Sequence, residues 1–473
     1  MPLRSRAGTL LLLIGGLALV GWMGYALTYR GDSSGADRRA GGVVDVAVFL
    51  PERADWADIR EGVALCRARG LLGEVVEDLE TITFRTPEHG REVRLSWFEG
   101  GGVVTTRDRV NRLIDRPIAP LAFLGSNNTV LTAGLAEALH EAVDHRGGSG
   151  LRPDPVLLVP WATTVRVDRP GAASLPLLDL YPGRTFRFCP NNRQEAELVS
   201  RVVSGQEGEP VGAVLMVDGN DPYSRDLAEG FERAIGLVAP EAKVVIRRLD
   251  LSSPGLVGSD DRPGPAELEE ADRIWRFVAE ASGEGPVWAV LPLQGSPTRR
   301  MIRALVDRSG PIGPRVLDRL QVLCGDGIGR TTLATLAGRC TLPVWCVSSG
   351  TLPEIEVEGA GEAADLGASQ IPAEIIAALA RVLDQAGPPP DLASALARLD
   401  LSADDPAAFG RSLAFEASGE RRATDLGHVL AIVPGRSDVL AFGPPRVEDL
   451  GGEPRSRRSL AGAVPVDDHR ATR

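Results

Sequence analysis

The feature that most constrains this chain is a rhythm that runs once, then starts again. Val43–Leu50 is a run of strand length, apolar at every position but Asp45. It is followed by Trp56, Ile59, Val63 and Cys66, the three- and four-residue spacing of a helix face. Strands at residues 91–98, 119–124 and 155–160 then alternate with helices at 107–115 and 129–145. From Gln194 the alternation repeats, with strands at 211–217, 243–249, 287–291 and 320–324. The helices of this second set span 194–203, 225–237, 266–281 and 296–309. Unbroken apolar strands are buried on both faces, which implies parallel sheets covered by helices. Two sets imply an α/β chain of two Rossmann-like lobes, and 473 residues are too many for one core. Ligands of open parallel sheets sit beyond the carboxyl ends of the strands. Two such lobes facing each other therefore enclose a cleft.

The ends read differently. Residues 1–8 carry Arg4 and Arg6, and residues 9–29 form a charge-free Leu-, Gly- and Ala-rich run. About 20 apolar residues suffice to span a bilayer as a helix. Trp22, Tyr25 and Tyr29 lie toward its far end, where aromatic rings prefer the interface. No lipobox cysteine follows, and the segment after Tyr25 is a poor cleavage site, so an uncleaved signal anchor is expected. The arginines would then stay cytoplasmic, with residues 43 onward outside, placing the chain as a single-pass protein of the inner membrane. Residues 30–42 read as a linker and 446–473 as a disordered, arginine-rich tail.

Composition removes several chemistries. Lys243 is the only lysine, so there is no P-loop Gly-Lys-Ser/Thr. The net charge is −12 with no basic stripe, which argues against nucleic acid. The five cysteines form no Cys-x-x-Cys pair; Cys340 and Cys346 are close enough in sequence for a disulfide, or are buried apolar residues. Gly31-Asp32-Ser33-Ser34-Gly35 has the nucleophile-elbow letters without a preceding strand. Gly325-Asp326-Gly327-Ile328-Gly329 lacks the third glycine of a dinucleotide loop, because position 330 is Arg330. His140 and His145 are five apart and do not share a helix face. An enzyme is not expected, nor are a metal or a cofactor.

Several segments occur in an order that resembles the type I periplasmic-binding family, the amino-acid and amide receptors of ABC transporters. They are Val46–Pro51, Phe123–Thr129, Val159–Thr164, Thr185–Gln194, Asp221-Pro222-Tyr223-Ser224 and Phe415–Arg421. The resemblance spans roughly residues 44–443 and implies a three-strand hinge, with crossings near 187, 325 and 408. That assigns 43–187 and 326–407 to lobe 1, and 188–325 and 408–445 to lobe 2. It departs from the family pattern at Gly125-Ser126-Asn127-Asn128 and at Ser224, which weakens an amino-acid assignment.

Ser126, Asn127, Asn128 and Thr129 supply hydroxyls, amides and a helix N-terminus, which together attract an anion. Thr163 and Thr164 add hydroxyls. The resemblance implies these two loops for carboxylate capture; plain helix capping accounts for the same residues. It also implies Tyr223 and Gln294 as walls and Asp326 as the acid for an ammonium, although Asp-Gly is a common turn pair. The function so implied is capture of a small polar, amino-acid-like ligand by hinge closure, with an ABC-type permease as partner. A tethered sensory receptor and a lobe pair that binds nothing are the alternatives.

Overall fold

The computed structural model describes residues 42–126, 128–145, 153–169, 172–249, 251, 258, 262–348, 366–385, 390–422, 427–436, 439–442 and 464–466. The first set of elements is β1 (Val44–Leu50), α1 (Arg53–Ala68), β2 (Val75–Glu77), β3 (Thr81–Arg85), β4 (Glu92–Glu99), α2 (Val103–Ile114), β5 (Ala122–Leu124), α3 (Thr129–His145) and β6 (Val156–Val159). A hairpin, β7 (Arg166–Arg169) and β8 (Ala172–Pro176), precedes β9 (Thr185–Arg187). These strands form a sheet in the order β2-β3-β4-β1-β5-β6-β9, parallel from β4 to β9. The antiparallel edge β2-β3 has no counterpart in the sequence reading.

Side-chain alternation along β1 explains the layering. Val44, Val46, Val48 and Leu50 pack beneath α1, whereas Ala47 and Phe49 pack beneath α2 and α3. The strand is apolar on both faces because helices cover both faces.

The second set is α4 (Asn192–Glu207), β10 (Gly212–Asp218), α5 (Pro222–Val238), β11 (Lys243–Leu249), α6 (Pro265–Glu280), β12 (Val287–Leu291), α7 (Gly295–Asp307), α8 (Pro314–Leu317), β13 (Leu320–Cys324), α9 (Arg330–Leu336) and β14 (Val344–Ser348). The chain then forms α10 (Leu366–Leu383), α11 (Leu392–Ala397), the short pair β15 (Asp400–Leu401) and β16 (Leu413–Ala414), and finally β17 (His428–Ile432), β18 (Val439–Phe442) and β19 (Val464–Val466). The second sheet runs β11-β10-β12-β13-β14-β17-β18-β19. It is parallel as far as β14 and antiparallel beyond. Along β10, Val214 and Met216 face α6 and α7, while Ala213, Leu215 and Val217 face α4 and α5.

Two expected hinge crossings are displaced. β14 pairs with β13, so residues 326–348 belong to the second lobe and the crossing near 325 falls after Ser348. A buried Val-Trp-Cys-Val run next to a parallel strand has more to gain in that sheet than at a hinge. The return helix α10 lies on α1, with Cys66 Sγ donating to Ala373 O at 3.2 Å. Phe415 belongs to the first core and bridges to Arg421, so the last crossing falls between residues 422 and 428, not at 408. The tail is corrected in one place, where Val464–Val466 adds an edge strand to β18. The rest of 446–473 and the expected anchor at 9–29 lie outside the described residues. Among the described residues no helix is long and apolar enough to cross a membrane. All five cysteines are free and buried, Cys340 and Cys346 included.

Candidate ligand-binding site

Six strand ends converge on one cleft of about 430 Å³. From lobe 1, the turn after β1 brings Asp55 and Asp58 of α1, the turn after β5 brings Asn128, Thr129 and Val130, and the turn after β6 brings Trp161 and Thr163. From lobe 2, β10 delivers Asp221, Pro222 and Tyr223, β12 delivers Gln294 and Gly295, and β13 delivers Asp326 and Gly327. All lie beyond carboxyl ends, where parallel strands leave backbone groups and helix starts open to a ligand.

Of the nine sequence candidates, Asn128, Thr129, Thr163, Tyr223, Gln294 and Asp326 line the cleft. Ser126 and Thr164 do not. Ser126 is 3% exposed, and its Oγ accepts from Asn128 N–H at 3.0 Å, which folds the turn behind the site. Thr164 is buried; its hydroxyl bonds that of Thr129 at 2.9 Å and its carbonyl accepts from Arg187. Asn128 caps α3, its Oδ1 accepting from Val130 and Leu131 N–H at 2.8 and 3.1 Å. Asn127 lies outside the described residues.

Sequence reasoning missed Asp55, Asp58, Trp161, Asp221 and, behind them, Glu195. The switch-point rule applied to β1 would have reached Asp55 and Asp58, which sit one turn apart at the start of α1. Glu195 had a signal of its own, an acid on the same helical stripe as Val199 and Val202, both buried.

The lobe 2 floor is a buried polar chain. Tyr223 donates its hydroxyl to Asp326 Oδ1 at 2.8 Å, and Asp326 N–H donates to Glu195 Oε2 at 3.2 Å. Glu195 Oε1 has no hydrogen-bond partner, and the residue is fully buried. Gly325 is required by this packing: a Cβ there would stand 2.6 Å from Leu227 Cδ2 and 2.8 Å from the Tyr223 hydroxyl. The Gly-Asp-Gly letters therefore reflect close packing around Tyr223 and not a dinucleotide turn. The lobes also touch through residues outside the cleft lining. Asp226 of α5 accepts from Val165 N–H at 2.8 Å and from Asn192 Nδ2 at 2.9 Å, and Arg225 pairs with Asp168.

Burial, and then the Asp326 charge, hold the Glu195 carboxyl well above its ordinary 4.5; the Asp326 N–H and Arg187 oppose them. Burial also raises Asp326, against the Tyr223 hydroxyl bond. Asp226 nearby is raised mainly by burial, and Tyr223 faces both carboxyls. A carboxyl raised by folding holds its proton more tightly in the folded than in the unfolded chain. Above 4.5, and up to the folded-state value, the folded state therefore carries more protons, and stability falls as pH rises. Glu195→Gln is expected to flatten that fall and to raise the melting temperature at neutral pH. An unchanged pH slope in thermal denaturation would count against this account.

The sheet order, the paired lobes and the cleft at facing strand ends define the type I periplasmic-binding fold. No known family's sequence profile matches the chain, and no curated protein matches it. Solved structures do. An ABC-transporter substrate-binding protein from Desulfitobacterium hafniense in complex with Leu superposes with a TM-score of 0.55 at 14% identity, covering 85% of this chain and 100% of that one. A leucine-binding protein from Thermotoga maritima gives 0.54 at 14%, covering 86% and 99%. A solute-binding protein from R. palustris in complex with 4-hydroxybenzoate gives 0.55 at 12%, covering 82% and 92%. At such identities the likeness establishes the fold.

Proposed function

We propose that this chain is an extracytoplasmic solute-binding protein that captures a small polar ligand by closure of its two lobes and passes it to an ABC-type permease. The observation that carries this reading is the cleft itself, lined by both lobes at the carboxyl ends of six strands. A ligand touching both walls stabilises the arrangement in which they approach, which is the condition for hinge closure. The site residues in this reading are Asn128, Thr129, Thr163, Tyr223, Gln294 and Asp326, joined by Asp55, Asp58, Trp161 and Asp221. The role is binding, not catalysis.

A solute that binds only the folded protein raises its stability, by about 2.7 kcal/mol at a hundredfold excess over Kd. The full chain is therefore expected to melt higher in the presence of one member of a panel of amino acids, amides, polyols, amines and aromatic acids. A panel in which nothing moves the melting temperature would favour a lobe pair that binds nothing.

In the same reading residues 9–29 hold the protein at the membrane, supported by a charge-free run of bilayer length between Arg6 and Arg30. Membranes washed at high pH are expected to retain the full chain and to release one that begins at Gly42. Release of the full chain by the same wash would remove the anchor.

A further inference from the structure

Glu195 belongs to the lobe 2 floor but does not line the cleft. It sits in the first turn of α4, 0% exposed. Its Oε2 accepts from Asp326 N–H at 3.2 Å. The same oxygen and the Tyr223 hydroxyl converge on one point: a Cβ on Gly325 would stand 3.1 Å from the first and 2.8 Å from the second. Tyr223 in turn donates to Asp326 Oδ1. Glu195 Oε1 is buried and, among the described residues, has no hydrogen-bond partner. A single backbone N–H can hold an uncharged carboxyl in place. An ionised carboxylate that leaves water needs more donors or a cation.

The groups facing Glu195 supply little of either. Asp326 approaches from the turn after β13, Tyr223 and Asp226 from α5, and Arg187 and Cys189 from β9 and its exit. Arg187 favours a charge on Glu195, but among the described residues its ion pair is with Glu420, at 3.3 Å, and its other bond goes to Thr164 O. Asp226 has donors of its own in Val165 N–H and Asn192 Nδ2. Asp326 lines the cleft and takes the Tyr223 hydroxyl. Of the three carboxyls, Glu195 is therefore the one that keeps its proton, held by burial first and the Asp326 charge second.

The acid also lies where the lobes meet. Asn192 N–H, in the same turn of α4, donates to Thr163 O of lobe 1 at 2.8 Å, and Asp226 accepts from Val165 of lobe 1. Parting the lobes brings water to Asp326 and Tyr223, the cleft residues beside Glu195. The neutral acid suits lobes that exclude water, and the ionised acid suits lobes that admit it. A proton bound more tightly in one arrangement shifts the populations of the two, as any ligand does.

Resting on the solute-binding reading above, we propose that Glu195 couples lobe closure, and with it solute capture, to a proton: with the proton in place the Tyr223–Asp326 floor is held for a solute, and its loss favours open lobes and release. Glu195 is then a positioning residue, acting through Asp326 and Tyr223. The sign follows from linkage. The closed lobes bind the proton more tightly, so closure weakens as pH rises from the open-lobe value of Glu195 to its closed-lobe value. Where one proton separates the states, the closed-to-open ratio falls by up to about tenfold per pH unit.

The five native cysteines are buried, so spin labels can be directed to Val104→Cys on lobe 1 and Glu229→Cys on lobe 2, exposed positions outside the cleft lining. Pulsed electron resonance on the full chain, with no solute present, then reads the interlobe distance across a pH series. The distance is expected to lengthen as pH rises when Glu195 is present. It is expected to be independent of pH in Glu195→Gln, which keeps an acceptor for Asp326 N–H and cannot titrate. Infrared spectra are expected to show a protonated carboxyl at neutral pH that Glu195→Gln removes and Asp226→Asn leaves. A distance that ignores pH, shortens as pH rises, or moves equally in Glu195→Gln would overturn the coupling. So would a protonated carboxyl that disappears with Asp226 instead. Should Glu195→Gln fail to fold, the pH series on the chain that retains Glu195 decides alone. None of these readouts uses a solute, so failure of the coupling appears in them, and failure of the solute-binding reading appears in the melting panel.

Discussion

Replacing Glu374 by alanine is expected to lower the unfolding free energy by roughly 3–5 kcal/mol, the cost of removing one member of a buried ionic group. Glu374 is fully buried on α10. Its Oε1 accepts from Arg411 Nε at 2.8 Å and from Gln370 at 3.0 Å, and its Oε2 from Arg421 at 2.6 Å. Arg421 also donates to Phe188 O at 3.0 Å and to Ser412 O at 2.8 Å. One carboxylate thus pairs with two guanidiniums, 2% and 1% exposed, and ties the return helix to the first hinge strand and the late turn. Without it, two positive charges remain in an apolar core. Urea denaturation reads the effect as a lower midpoint. A loss below about 1 kcal/mol, the range of an exposed pair, would mean that water reaches the site and that the group is not structurally decisive.

Gly419→Ala is the second large effect, and it acts through the backbone. Gly419 has φ +87°, a conformation that side chains avoid at about 1–2 kcal/mol. An added Cβ would also stand 1.8 Å from Thr185 O, so the turn must move away from β9. Overpacking of that kind adds roughly 1–3 kcal/mol. The displaced contact includes Arg187 N–H to Gly419 O at 2.9 Å, which joins the first and third chain crossings. The variant is expected to lose about 2–5 kcal/mol in urea denaturation. It is also expected to bind its solute more weakly than its loss of stability explains, because the hinge itself is altered. Parent-like stability would show that the turn relaxes freely, and that the close approach to Thr185 is not enforced.

Much of the architecture was readable because it is local. The β1 run and the Trp56–Cys66 spacing carry both a strand and its covering helix within about two dozen residues, and periodicity registers such patterns directly. What stayed hidden depends on distant partners. Nothing within Val344–Ser348 says which sheet it joins; pairing with β13 decides that, and with it the second crossing. Short edge strands such as β2 bury little and leave a weak pattern. The site divides in the same way. Tyr223 and Asp326 were reached through resemblance, and the structure brings them into hydrogen-bond contact. Ser126 and Thr164 have the right chemistry, but their neighbours use it. Asp55 and Asp58 acquire meaning only when the opposite lobe closes an acidic space around them.

The interleaving of the lobes also sets an order of events during synthesis. The core of lobe 1 draws on residues 44–189 and again on 371–415. Gly62 of α1 is pressed so closely to α10 that a Cβ would lie 2.8 Å from Ala373 N. A growing chain that has reached Ser348 therefore has every strand of its first sheet but an uncovered α1 face. More than 180 residues separate Cys189 from Ile371, where the core resumes, a span that favours slow, late closure over folding in sequence. Lobe 2, whose parallel strands all lie between residues 212 and 348, has most of its sheet in hand before lobe 1 can finish. During that interval the half-covered first sheet is the part of the molecule most open to non-native association.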